Sequence, residues 1–240
     1  MGTRAVLFDL DDTLFDHRGC AREALAGVQQ EHDALRALPF ESLERAHAGF
    51  LEELHLDVMV GRVPIESARI ERFRRLLEAV GAADAGSRAS GLAAIYRETY
   101  RGRRRAVAGE AALMAAIKRR ATLAIVSNNL LDEQQDKLRA CGLEEFVDAL
   151  VVSEEVGVSK PDPAIFRVAL DRLHVRADDA VMVGDSWAAD VEGAIAAGIR
   201  AIWFNPAGAA APNIETSVTE LRTLEPADAV MRIILEPNRH

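Results

Sequence analysis

Polar residues close a set of short apolar runs in this sequence, and their types suggest a reaction. Asp9 follows Ala5–Phe8 with Asp11 just beyond it, Ser127 follows Leu123–Val126, and Asp185 follows Ala180–Gly184. Carboxylates and a hydroxyl gathered at strand ends are what a phosphate-and-metal site needs. Asp9 and Asp11 are two positions apart, so in extended backbone their side chains face one way, with Cα atoms about 6.6 Å apart. Two carboxylates so placed can divide labour. One stays ionised as nucleophile and metal ligand, and its neighbour spends part of the cycle protonated as general acid. Taken alone, the Asp-x-Asp-Asp run equally fits a turn followed by a helix N-cap.

The elements that must position these groups are legible from periodicity. The three runs above, with Leu150–Val152 and Ala201–Phe204, have the length and β-branched content of strands buried on both faces. Helical patterns lie between the later ones, at Glu110–Arg120, Leu131–Cys141, Pro163–Leu173 and Ala188–Ala197, the last stopped by Gly198 as a C′ glycine. Strands alternating with helices predict an α/β fold with a doubly wound parallel sheet and right-handed crossovers. Residues 16–105 break the rhythm. They hold amphipathic segments at Ala21–Glu31, Phe40–Leu56, Pro64–Val80 and Ser87–Tyr100, with Pro39 and Pro64 at first-turn positions. Roughly ninety residues of helix are too many for one crossover. The expected organisation is a core of residues 1–15 and 106–240, with residues 16–105 as an inserted helical cap.

Asp9-Leu-Asp11-Asp12-Thr13-Leu14 at the end of the first strand resembles the first motif of the haloacid dehalogenase-like (HAD) hydrolases. The likeness continues in order with Ser127-Asn128-Asn129, Lys160-Pro161-Asp162-Pro163 and Gly184-Asp185-Ser186, with a second acid at Asp190. The motifs run from Asp9 to Asp190, and the core strands extend the likeness over most of the chain. The resemblance implies that Asp9 forms an aspartyl-phosphate and Asp11 protonates the leaving oxygen, then activates water. It implies that Ser127 and the Asn128 backbone N–H hold the phosphoryl oxygens and that Lys160 neutralises charge there. Mg²⁺ would be held by Asp9, Asp11 (through its backbone carbonyl) and Asp185, with Asp190 in an outer shell or paired with Lys160. Asp12 and Thr13 read as turn and capping residues.

The implied function is Mg²⁺-dependent hydrolysis of a small phosphomonoester of nucleotide or phosphosugar type. Asp11 argues against a dehalogenase, which needs no acid there. A phosphonatase would need a cap lysine, and no lysine lies between Asp9 and Lys118. A phosphomutase shares Asp9 and Asp11 and stays open. A phospho-aspartate signalling receiver, the reading from another class, would be about half this length and lack the helical insert.

Composition bounds the rest. The 240 residues, at 49% hydrophobic and 28% charged, are enough for a core without staples. Net charge −9 is the wrong field for gripping a nucleic-acid polymer. Cys20 and Cys141 alone cannot form a disulfide scaffold and fit a reduced, cytoplasmic compartment. No targeting or membrane segment is apparent, and the partner expected is a small phosphorylated metabolite, bound by a monomer or homodimer. The arginines at 101, 103, 104 and 105 read as a solvated hinge. The histidines show no metal spacing, with His17 at the cap entrance the one to watch. Trp187 reads as packing at a helix start.

Overall fold

The computed structural model describes residues 2–212 and 218–236. The chain divides into two compact units, one formed by Met1–Asp16 with Arg105–His240 and the other by His17–Arg104. After β1 (Ala5–Phe8) the chain builds the helical unit from α1 (His17–Gln30), α2 (Asp33–Arg36), α3 (Phe40–Met59), α4 (Ile65–Ala79) and α5 (Ala85–Arg103). It returns through α6 (Glu110–Lys118), β2 (Thr122–Ser127), α7 (Leu131–Ala140), β3 (Ala149–Val152), α8 (Ser153–Val156) and α9 (Pro163–Leu173). Then come β4 (Ala180–Gly184), a π-helical turn at Trp187–Glu192, α10 (Gly193–Ala196), β5 (Arg200–Phe204), β6 (Thr219–Leu221) and α11 (Ala227–Leu235).

The six strands form one parallel, doubly wound sheet in the order β3-β2-β1-β4-β5-β6. β1 and β4 are buried along their whole length because helices cover both faces, which is why they read as continuous apolar runs. Leu7, Val126, Met182, Phe166 and Trp203 share one core cluster, and burying each such side chain contributes about 1.5–3 kcal/mol. The strand order reverses at β1, between β2 and β4. Ligands of open α/β sheets bind at the carboxyl ends of the strands beside such a reversal.

Local chemistry sets the helix ends near those strand termini. Asp162 caps α9 by accepting from the Ala164 N–H at 2.8 Å, with Pro163 at the first helical position. Gly198 sits at φ +76°, the left-handed C′ residue expected after α10. The segment Ala188–Ala197, expected as one α-helix, is a π turn followed by four residues of α-helix. The Ser186 hydroxyl accepts from the Ala189 N–H, and Asp190 folds back onto the Ser186 N–H at 2.9 Å. The wide turn thereby directs Asp190 towards the strand ends. Pro39 and Pro64 stand one residue before their helices rather than inside them.

The helical unit has its own core, in which Leu25 and Val28 of α1 meet Leu43 of α3, Phe73 and Leu77 of α4 and Leu92 of α5. Among the described residues no helix is long and apolar enough to cross a membrane.

Candidate active site

Asp9 is the first residue after β1, fixed by its N–H donating to the Val183 carbonyl of β4 at 2.9 Å. Its side chain is buried, and Oδ1 accepts from Lys160 Nζ at 2.6 Å. The same ammonium donates to Asp190 Oδ1, also at 2.6 Å. Lys160 is held from behind by Asn128, whose side chain accepts from the Lys160 N–H at 2.7 Å and donates to its carbonyl at 2.8 Å. A planar amide paired to both backbone groups of one residue fixes that residue's position. Asp185 is braced through its carbonyl, which accepts from the Trp203 indole N–H at 2.8 Å. Trp187 packs edge-on against Trp203, the packing role expected of it.

Carboxylate oxygens of Asp9, Asp185 and Asp190 all lie within 4.8 Å of one another. Lys160 pairs with two of the three carboxylates, Asp9 and Asp190. Burial pushes the Asp9 carboxyl well above its ordinary range; Lys160 opposes this, and Asp190 and Asp11 add to it. Burial alone would loosen the Lys160 proton, but Asp190 and Asp9 more than offset it and hold the ammonium above its ordinary value. Three hard oxygen donors this close together fit a divalent cation such as Mg²⁺. Gly184 is required where it stands: a Cβ there would lie 2.3 Å from Asp190 Oδ2.

Asp11 is expected to hold the metal through its backbone carbonyl, and its side chain lies outside the acidic cluster. Lys137 Nζ donates to both of its oxygens, at 2.6 and 2.8 Å, Gln134 Nε2 donates at 3.0 Å and Asn129 Nδ2 lies at 3.3 Å. Gln134 Nε2 is also 2.5 Å from the buried Ser127 hydroxyl, so one side chain links the two groups. Lys137 is buried and stands 5.4 Å from the Phe15 ring centroid. The reading of the sequence missed both residues. Gln134 and Lys137 are three apart on α7 and so share one helix face, and Lys137 is one of three lysines in the chain. Those were the available signals. Asp12 adopts φ +63° as the turn that sends the chain back to Phe15, and the Thr13 hydroxyl lies 3.5 Å from Asp9 Oδ2.

The family model of the haloacid dehalogenase-like hydrolases matches residues 3–198. The chain belongs to that family. A phosphoserine phosphatase from Thermus thermophilus is 35% identical, with 84% of this chain and 88% of that one covered. A ribulose-1,5-bisphosphate 5-phosphatase from Halopiger xanaduensis is 31% identical, with 84% of each covered. Among solved structures, YfnB from Bacillus subtilis, bound to magnesium, superposes with TM-score 0.76 over 97% of this chain and all of that one, at 24% identity. That last likeness is one of fold.

Proposed function

We propose that this HAD hydrolase is a Mg²⁺-dependent phosphatase that hydrolyses a small phosphomonoester through an aspartyl-phosphate on Asp9. The convergence of Asp9, Lys160, Asp185 and Asp190 at the strand ends carries the reading, supported by relatives named as phosphatases. Asp9 attacks phosphorus as the ester P–O bond breaks, and Asp11 gives the leaving oxygen its proton. Asp11 then takes a proton from water, whose oxygen bonds to phosphorus as the acyl-phosphate P–O bond breaks and Asp9 is restored. Lys137, donating to both of its oxygens, fixes the position of the Asp11 carboxyl group. Ser127 and the Asn128 N–H receive the phosphoryl oxygens, and Lys160 keeps a compact positive charge beside the nucleophile.

Asp9, Asp185 and Asp190, with the Asp11 carbonyl, are the groups that would hold Mg²⁺, which when bound supplies charge neutralisation at the phosphoryl group. The helical unit serves as a cap that selects the leaving group, with nucleotides and phosphosugars as the expected class.

Hydrolysis should need Mg²⁺ and be inhibited by Ca²⁺, because Ca²⁺ prefers higher coordination and longer bonds. A phosphate-release assay after EDTA treatment, with each ion restored in turn, tests the function. Full activity without metal, or equal rates with the two ions, would contradict it.

Lys137 is a positioning residue for Asp11, and Lys137→Met should lower kcat by about 10- to 100-fold, the range for a misplaced catalytic group. The loss should be larger for an alkyl phosphate, whose leaving oxygen needs a proton, than for p-nitrophenyl phosphate. Lys137→Arg should recover part of it. Equal losses for both esters would reduce Lys137 to a packing role.

A further inference from the structure

The helical unit buries a charge that nothing in it balances. Arg72 of α4 is only 7% exposed and His47 of α3 only 6%. The Arg72 guanidinium stands 5.2 Å from the Tyr96 ring centroid and 5.6 Å from that of Phe73, and the His47 ring lies 5.0 and 5.4 Å from the same two. Arg72 Nε and His47 Nε2 are both buried without a hydrogen-bond partner. Among the described residues no carboxylate pairs with Arg72. On the same helix Glu71 is taken by Arg74 and Arg75, and Glu66 by Arg69.

Cation–π contact is a weak attraction, whereas burying an ion without a partner carries a larger desolvation cost. The rings therefore do not settle the account. The contrast with Gln29 in the same unit is informative, since its buried amide reaches the Leu35 and Leu38 carbonyls. Burial weakens the hold of both groups on their protons; at Arg72 Tyr96 opposes this and Arg69 adds to it, and at His47 Arg72 and then His17 add to it. A cation is thus repelled from this cluster. A planar guanidinium fork, an imidazole nitrogen and an aromatic wall instead suit an oxyanion.

We propose that Arg72 and His47 form an oxyanion-binding site within the helical unit, taking the carboxylate or phosphate of a small metabolite. Calorimetric titration of the full chain with malonate and with methylphosphonate tests it, and whichever anion binds more tightly identifies the preferred group. Arg72→Met should weaken that binding at least 10-fold, His47→Gln should weaken it less, and Arg72→Lys, which keeps the charge but loses the fork, should fall between. If neither anion binds at millimolar concentration, or if Arg72→Met binds as tightly as the wild type, there is no such site. Should Arg72→Met fail to fold by circular dichroism, Arg72→Lys and His47→Gln decide on the same criterion.

Discussion

Asp9→Asn will abolish phosphate release and leave the far-ultraviolet circular dichroism spectrum unchanged. The amide has nearly the shape of the carboxylate and can still accept from Lys160 Nζ, but it is no anionic nucleophile. Losing the nucleophile should remove at least ~10³ from kcat. The fold should not suffer. Burial holds the Asp9 carboxyl well above its ordinary value, so its ionised form disfavours the native state without metal at neutral pH. The neutral amide removes that cost while Asp190 keeps Lys160 paired. In EDTA the thermal midpoint should therefore stay level or rise. Residual turnover near wild type would refute the nucleophile assignment, and a collapsed spectrum would make the loss one of folding.

Asp11→Asn should separate the two half-reactions. The variant keeps its backbone carbonyl but cannot give and later take a proton, so help worth ~10²–10⁴ is lost. p-Nitrophenyl phosphate needs little protonation of its leaving group, so rapid-quench kinetics should show a burst of nitrophenol followed by slow turnover. A sugar phosphate should be slowed from the first step. The variant also strips the buried Lys137 ammonium of its carboxylate partner, at a cost of about 1–3 kcal/mol. Asp11→Asn with Lys137→Met should recover stability but not turnover. If both esters slow by the same factor and no phosphoenzyme accumulates, Asp11 only positions other groups.

The strand ends were legible because each buried run stops abruptly at a polar residue, and a parallel sheet gathers such residues at one edge. That reasoning reached Asp9, Ser127 and Asp185 directly. It could not reach Gln134 and Lys137. Polar residues three apart on a helix ordinarily mark a solvated face, and only the third dimension turns that face of α7 towards Asp11. Arg72 was hidden likewise, in a helix whose charged residues mostly do form surface pairs. β6 and α11 were not anticipated; three residues of strand leave almost no periodicity to read. The π turn was read as α-helix because a one-residue widening leaves the apolar spacing nearly intact.

The chain's departure from the α/β unit and its return are adjacent. The Asp16 N–H donates to the Arg105 carbonyl at 3.1 Å, the Val107 N–H to the Leu14 carbonyl at 2.8 Å, and Arg105 Nε reaches Asp16 Oδ2 at 2.7 Å. At this seam the α/β unit closes its own backbone hydrogen bonds, whatever lies between the two ends. Loop-closure entropy grows only logarithmically, by about 0.6 kcal/mol for each doubling of loop length. An insertion anchored in this way can be lengthened, shortened or exchanged at little thermodynamic cost to the scaffold that holds Asp9 and Lys160. The α/β unit and the helical insertion are therefore free to diverge separately, joined by one clasped pair of backbone segments.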